Sequence, residues 1–290
     1  MNEKLDTVFE YLPTGFVREI SGMLRGSRLE IREIRLRSTG LSTVLTDGGA
    51  FPLLSRIDAD GIEKTVQKLC RGSVYAYSDG INSGYIPLAR GIRVGVVGRA
   101  SHDGERMVGV SRISSLCFRI PCSPIGVADG LYSEWLSLGR ESLLILAPPS
   151  GGKTTVLRSL ASLIGRGQGL SRVVVIDERF EFDPLDYIGA TVDILQGYRR
   201  GVGTEIAVRT MSPDVLLVDE ICSAQDAAAI RTAVGVGIPL IATAHGTDMD
   251  SVCARGHLWG LVSDGCFSRF CRIEKRAGGF VISSPERIAI

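Results

Sequence analysis

The chain has 290 residues, 44% hydrophobic and 22% charged, with a net charge of +1. This is the make-up of an ordinary soluble globular protein, with room for two domains or one large α/β domain. No apolar run approaches the ~18 residues needed to span a bilayer. The opening Met-Asn-Glu-Lys-Leu-Asp carries no apolar signal core, so any membrane contact is expected to be peripheral.

The charge is unevenly spread. Residues 1–125 hold 17 Lys+Arg against 13 Asp+Glu, and the remainder 16 against 19. A basic first half suits an anionic partner or a contact between subunits. The seven cysteines contain no C-x-x-C pair. Their odd number and spacing fit reduced thiols packed as small apolar residues rather than a zinc site.

In chain order, residues 8–24 read as a helix interrupted near Pro13 and Gly15, and 31–37 alternate as a half-buried strand. Short strands at 43–45 and 51–54 flank an Asp47-Gly48-Gly49 turn, and 62–70 form an amphipathic helix with Ile62, Val66 and Leu69 on one face. Residues 84–88, 93–98, 106–110 and 115–120 are short strands punctuated by glycine, so the first 125 residues read as a small α+β domain. Residues 121–130, with two prolines, are the expected linker.

Beyond it, strands and helices alternate. Strands at 143–147, 173–176, 214–218 and 238–242 are interleaved with helices at 153–164, 224–236 and near 249–261. That order predicts a mainly parallel sheet with helices on both faces over 126–290. Residues 269–273 and 279–283 read as a closing hairpin.

The most informative stretch is Ser142-Leu-Leu-Ile-Leu-Ala-Pro-Pro-Ser-Gly-Gly-Lys-Thr-Thr-Val-Leu157. Apolar β-formers lead into a glycine turn, and Lys153-Thr154-Thr155 opens a helix, which is the setting of a phosphate-binding loop. Pro148, Pro149, Ser150, Gly151, Gly152, Lys153, Thr154 and Thr155 are the candidate nucleotide-binding residues. Backbone N–H groups and the helix N-terminus face phosphate oxygens, Lys153 reaches the β- and γ-phosphates, and the Thr154 hydroxyl ligates Mg²⁺. Ala147 stands where G-x-x-x-x-G-K-[ST] has its first glycine, and a Cβ there disfavours positive φ.

Val215-Leu-Leu-Val-Asp219-Glu220 is a buried strand delivering two carboxylates at its end. Asp219 is assigned to Mg²⁺ through water, and Glu220 to the attacking water. Two further strands end in chemistry-bearing residues: Asp177-Glu178-Arg179-Phe180-Glu181 and Thr243-Ala244-His245. The first is otherwise a solvated strand end. His245 stands where a γ-phosphate sensor belongs.

These boxes together resemble the secretion ATPases of type II and type IV systems. More closely, the chain resembles the stage III sporulation protein AA family of endospore formers. The residues that carry the resemblance are Glu33-Ile-Arg-Leu-Arg37, Val74-Tyr-Ala-Tyr77, Gly84-Tyr85-Ile86, Gly91-Ile-Arg93-Val-Gly95 and Ser115-Leu-Cys-Phe-Arg119. Pro124-Ile-Gly-Val-Ala128, Ile176-Asp-Glu-Arg179 and Val208-Arg-Thr-Met-Ser-Pro-Asp214 continue it in order. The chain departs from the family at Ala147 and over 196–203, which leaves the roles of Arg199 and Arg200 open.

The resemblance implies a RecA-like P-loop ATPase using ATP and Mg²⁺, assembled as a homo-hexameric ring. Its place would be peripheral, at the mother-cell face of a channel into the forespore, with membrane proteins of that channel as partners. It further implies catalytic roles for Glu178, His245, Arg93, Arg119 and Arg209 beside Glu220, the N-terminal arginines approaching nucleotide from their own or a neighbouring subunit. Two alternatives stay open: an ATP-switched single-stranded nucleic-acid-binding protein, and a nucleotide-stabilised ring scaffold with little turnover. Against the first, no basic strand is studded with aromatics as a base-stacking platform would be, and nucleic acid is not an expected partner.

Overall fold

A computed structural model describes residues 3–27, 29–104, 106–121, 126–149, 151–167, 169–276 and 279–288. The chain divides into two compact units, residues 1–122 and 123–290.

The first unit opens with helices α1 (Glu3–Phe9) and α2 (Thr14–Leu24). Pro13 is the N-cap of α2, so the helical pattern read over 8–24 is two helices, divided where proline cannot continue the first. Strands β1 (Ile31–Arg37), β2 (Thr43–Thr46) and β3 (Gly49–Pro52) form a meander. Helix α3 (Ala59–Leu69) follows, its N-cap Asp58 accepting from the Gly61 amide. A 3₁₀ turn and the short helix α4 (Ser78–Asn82) lead to β4 (Tyr85–Pro87), β5 (Arg93–Asp103) and β6 (Arg106–Arg119).

These six strands form one sheet in the order β3-β2-β1-β6-β5-β4. Its core face carries Ile34, Leu36, Val94, Val96, Leu116 and Phe118, packed with Phe16 and Ile20 of α2 and Ile62, Val66 and Leu69 of α3. A register shift between Ile31 and Glu33 lets Ile31 be buried as well. The segments expected as separate strands at 106–110 and 115–120 are one strand. Pairing of β5 with β6 continues from Arg93↔Arg119 to Asp103↔Arg106 across two register shifts, so each strand supplies the other's hydrogen bonds through the glycine-rich stretch.

In the second unit, α5 (Asp129–Ser137) precedes β7 (Leu143–Ala147) and α6 (Lys153–Arg166). The expected linker at 121–130 thus overlaps the first turn of α5; its residues 122–125 lie outside the described residues. Then come β8 (Val173–Asp177), β9 (Val192–Gln196), α7 (Arg200–Ile206) with a π-helical continuation Ala207–Met211, and β10 (Val215–Val218). The rest is α8 (Ala224–Gly235), β11 (Leu240–His245), α9 (Met249–Cys253), α10 (Gly256–Ser263), β12 (Arg269–Arg276), β13 (Gly279–Ile282) and β14 (Glu286–Arg287). The single helix expected near 249–261 is two, with Arg255 as N-cap of the second.

The sheet order is β13-β12-β7-β11-β10-β8-β9, with β14 beside β12. Strands β12, β7, β11, β10, β8 and β9 are mutually parallel, and β13 and β14 run antiparallel to β12. Strands β7, β8 and β10 are buried at every residue, because both faces are covered. Leu144, Leu146, Val174, Ile176, Leu216 and Val218 pack on one side with α8 and α10. Leu143, Ile145, Val173, Val175, Val215 and Leu217 pack on the other with α5 and α6. This is the parallel α/β architecture that the strand–helix alternation predicts. Strand β9 and helix α7 have no counterpart in the sequence-based reading: they are only five and seven residues long, and their apolar pattern is too short to show a period.

Among the described residues no helix is long and apolar enough to cross a membrane. The six described cysteines are free thiols, with Cys70, Cys266 and Cys271 buried. Burial raises the Cys271 thiol to about 12, which suits a packing role.

Candidate active site

Parallel pairing brings the carboxyl ends of β7, β11, β10 and β8 to one edge. His245 is level with Ala147, and Val218 is level with both Ala242 and Ile176. The residues immediately after each strand therefore converge, as the crevice rule for open α/β sheets requires.

The loop after β7 is shaped by its glycines. A Cβ on Gly151 would lie 2.8 Å from the Pro148 carbonyl oxygen and 2.9 Å from Ala147 Cβ. Gly152 has φ +91° and is the N-cap of α6, a conformation that favours glycine. Ala147 is a strand residue with a fully buried side chain and is absent from the positive-φ residues, so its Cβ asks for no reshaped turn. Ser150 lies outside the described residues.

Lys153 is buried, and all three of its ammonium protons have acceptors. They are the Ala147 and Pro148 carbonyls, each at 3.3 Å, and His245 Nδ1 at 2.9 Å. Burial pushes the Lys153 ammonium below its ordinary value, against the pull of Glu220 and Asp219. Because Nδ1 accepts, the imidazole proton is placed on Nε2, which lies 2.5 Å from Glu220 Oε1.

The Thr154 hydroxyl donates to Asp219 Oδ2 at 2.8 Å, and the Thr243 hydroxyl donates to Asp219 Oδ1 at 2.8 Å. Asp219 is partly exposed as a residue, yet its carboxyl group is enclosed. Burial and the Glu181 charge raise it, while the Thr154 and Thr243 hydroxyls oppose the rise. The Thr243 hydroxyl also accepts the Glu220 amide at 2.8 Å. Glu220 has φ +62°, a conformation costing about 1 kcal/mol or more in a non-glycine residue and concentrated at functional sites. Burial works against its ionised form, but Arg179, His245, Arg200 and Lys153 hold it below the usual carboxylate value.

The strand end after β8 divides its labour. Asp177 is buried and accepts the Glu181 and Phe182 amides at 2.9 and 3.0 Å and the Gln196 amide at 3.3 Å. It holds a turn together. Glu178 pairs with Arg200 at 2.5 Å, and Arg200 also donates to the Asp219 carbonyl at 2.7 Å. Arg179 pairs with Glu220 Oε2 at 2.7 Å. Arg200, whose role the sequence leaves open, is thus a buried tie between the two acidic strand ends. Arg199 is exposed and lines a cavity of about 620 Å³ with Glu178, Arg200 and Cys222. Arg179 belongs to the Ile176-Asp-Glu-Arg179 motif but its pairing with Glu220 does not show there, and no sequence pattern marks Arg200.

The structure therefore gathers Lys153, Thr154, Asp219, Glu220 and His245, with Glu178 one ion pair away. It does not gather Arg209 with them. The helical run from Arg200 to Met211 leads away from the carboxyl edge, and nine residues at 1.5 Å each put Arg209 about 13 Å down it, exposed. Arg93 and Arg119 lie in the first unit, as Cα partners on adjacent strands, with Glu33 on the other side of Arg119. Arg93 stacks over the Tyr85 ring at 5.9 Å.

Among the described residues no group of three or more His, Cys, Asp or Glu could hold a metal. Mg²⁺ suits such a place: it binds through one or two protein oxygens and otherwise through phosphate and water. Thr154 and Asp219 supply such a pair, and Gly151 and Gly152 let the loop pack closely against Pro148 and Phe280 just before α6.

The chain is an α/β protein with a mainly parallel sheet, a glycine loop after β7 and an Asp-Glu strand end after β10. Residues 9–283 match the family model "Sporulation stage III, protein AA", and the chain belongs to that family. It is 28% identical over 288 residues to stage III sporulation protein AA of Bacillus subtilis (strain 168), covering 96% of this chain and 94% of that one. In fold it is similar to the Legionella pneumophila ATPase DotB, with a TM-score of 0.62 at 13% identity over 89% of this chain and 75% of that one. It is likewise similar to the pilus retraction motor PilT, solved with bound ADP, with a TM-score of 0.62 at 16% identity over 96% of this chain and 84% of that one. The mixed α/β fold with a mainly parallel sheet is therefore that of the secretion-type ATPases.

Proposed function

We propose that this chain is a Mg²⁺-dependent ATPase whose hydrolysis powers assembly of, or transport through, a secretion-like channel during endospore formation. The observation that carries the reading is the chain of contacts Lys153–His245–Glu220, set beside the Thr154–Asp219–Thr243 bracket. In this reading Lys153 is the phosphate-neutralising cation, Glu220 the base, and Thr154 with Asp219 the divalent-ion site, all near one strand edge.

Lys153 gives up its carbonyl and imidazole acceptors for the β- and γ-phosphate oxygens and neutralises charge there. Thr154 and Asp219 would hold Mg²⁺, which would supply charge neutralisation on the phosphates. Glu220 orients the attacking water and takes its proton as the bond to the γ-phosphorus forms and the β–γ bridge breaks. His245 holds one oxygen of Glu220 and reports on Lys153. Arg93 and Arg119 are assigned to the developing charge on the γ-phosphate, from the same or a neighbouring subunit. Glu178 acts through Arg200. Arg209, remote from its own loop, serves only if a neighbouring subunit's nucleotide meets it. The assembly is read as a homo-hexameric ring at the mother-cell face of the forespore membrane, docked on membrane proteins of the channel. The family membership and the ATPase fold support this reading.

The test is a pair of substitutions. Lys153→Ala should abolish ATP binding, and Glu220→Gln should retain binding and lose turnover, because an amide takes no proton. Equal ATPase rates in wild type and Glu220→Gln would remove the glutamate from its role. Wild-type protein that binds ATP with negligible turnover, alone and with membranes, would favour the ring scaffold.

A further inference from the structure

Glu220 has both carboxylate oxygens committed, Oε1 to His245 and Oε2 to Arg179. Each oxygen keeps a lone pair for water, but two such partners favour the ionised carboxylate and weaken it as a base, so withdrawal of one would strengthen it for turnover. His245 is the less able to withdraw. It sits on the paired strand β11, and its carbonyl oxygen takes Arg255 at 2.9 Å.

Arg179 is built differently. Its side chain is 48% exposed, against 10% for Glu220. Its backbone root, by contrast, is fixed. Asp177 staples the turn through the Glu181 and Phe182 amides. Phe180 adopts φ +57°, with its ring where a Cβ on Gly197 would stand. Phe182 is fully buried, and Glu178 is tied through Arg200 to the Asp219 carbonyl. A long, half-exposed guanidinium thus pivots on an immobile base at the edge where the phosphate loop opens.

The charges around it decide where it can go. Asp219, Glu220 and Glu181 all pull on Arg179. Arg179 in turn adds to the forces depressing the Lys153 ammonium, so the two cations share one small space. An anionic group entering over Lys153 comes within the reach of both. A diphosphate satisfies Lys153 alone; a third phosphate adds the charge that competes with Glu220 for the guanidinium.

We propose that Arg179 distinguishes triphosphate from diphosphate within its own subunit, leaving Glu220 Oε2 for the terminal phosphate and so strengthening the base only when that phosphate is present. This deepens the ATPase reading above and rests on it. The guanidinium suits the task because its planar fork pairs equally well with a carboxylate and with phosphate oxygens.

The experiment measures equilibrium binding of ADP and of a non-hydrolysable ATP analogue, with Mg²⁺, to the full-length wild type and its variants. Arg179→Ala should leave ADP affinity within about twofold and weaken the analogue ~10-fold or more, with Arg179→Lys in between. Glu220→Gln removes the anion that competes for Arg179, so it should tighten the analogue, and Arg179→Ala on that background should cancel the gain. Should Arg179→Ala fail to fold, the same ratio is read from Arg179→Gln. An unchanged ratio of the two affinities overturns the proposal, as does an equal loss of both ligands. So does faster turnover at an unchanged ratio, which would make Arg179 a simple brake. Wild-type protein that binds neither nucleotide overturns the ATPase reading itself, and the proposal with it.

Discussion

Thr243 makes two hydrogen bonds that bracket Asp219 and Glu220, and neither is legible from the sequence, where it is only part of a Thr-x-His box. The bracket exists because β11 lies between β7 and β10 in the register Val218↔Ala242, which sets Thr243 level with Asp219. Lys153, Thr154, Asp219 and Glu220 are legible because each follows an apolar run at a set distance. Arg179 and Arg200 are not, since their roles depend on which carboxylate a flexible side chain finds. At this scale one titration is open to test. Asp214, exposed at the amino end of β10, receives three hydrogen bonds from Arg172 and is lowered by them to about 2. Its ordinary value is about 3.9, so the pair contributes stability at neutral pH that is lost as pH falls from about 4 to about 2. Solvent screening keeps that contribution under about 1 kcal/mol. The melting-temperature difference between wild type and Asp214→Asn should therefore be small at pH 6 and should vanish as pH approaches 2. A difference that grows on acidification would contradict the sign.

Among the elements, the strands with clean patterns are those whose both faces are covered. Their unbroken apolar runs at 143–147, 173–176 and 215–218 are readable from the sequence. The elements that escape are short or bounded without strong caps, such as β9 and α7. The turn between β8 and β9 links the two groups, because it carries Glu178 and Arg179 on a buried anchor. Phe182 is fully buried, its ring 6.3 Å from that of Tyr187, and its amide bonds Asp177. Phe182→Ala should cost roughly 3–5 kcal/mol, measured by urea unfolding. At temperatures where the variant stays folded, turnover should fall with it, because the turn loses the packing that aims Arg179. A loss under about 1 kcal/mol would mean the site collapses without a cavity.

For the whole molecule, the prediction concerns the two arginines of the first unit. Arg93 and Arg119 stand opposite one another on adjacent strands, and like charges so placed repel unless an anion meets them. Glu33, the Cα partner of Arg119 on the other side, pairs its carboxylate with Arg35 at 2.8 Å. Arg93→Ala and Arg119→Ala should each cut turnover by ~10²-fold while ADP binding holds, in protein that forms nucleotide-promoted, salt-sensitive oligomers by light scattering. Near-wild-type turnover in both, with oligomers assembled, would reduce the first unit to a basic docking module. Monomer alone, at low salt with ATP analogue, would count against the ring.

What the sequence alone determined is local and periodic: the buried parallel strands, the glycine cradle before Lys153, the Asp-Glu strand end, and the family to which the ordered motifs belong. Each is a property of neighbouring residues, so it survives without coordinates. Tertiary structure decided what depends on alignment between distant segments. It set His245 between Lys153 and Glu220, made Asp177 a turn staple rather than a reactive acid, and sent Arg209 down the helical run away from its own loop. It also paired Arg179 with the base. Such outcomes follow from strand order and register, which are fixed by how two buried faces of one sheet pack, and no short stretch of sequence contains both partners.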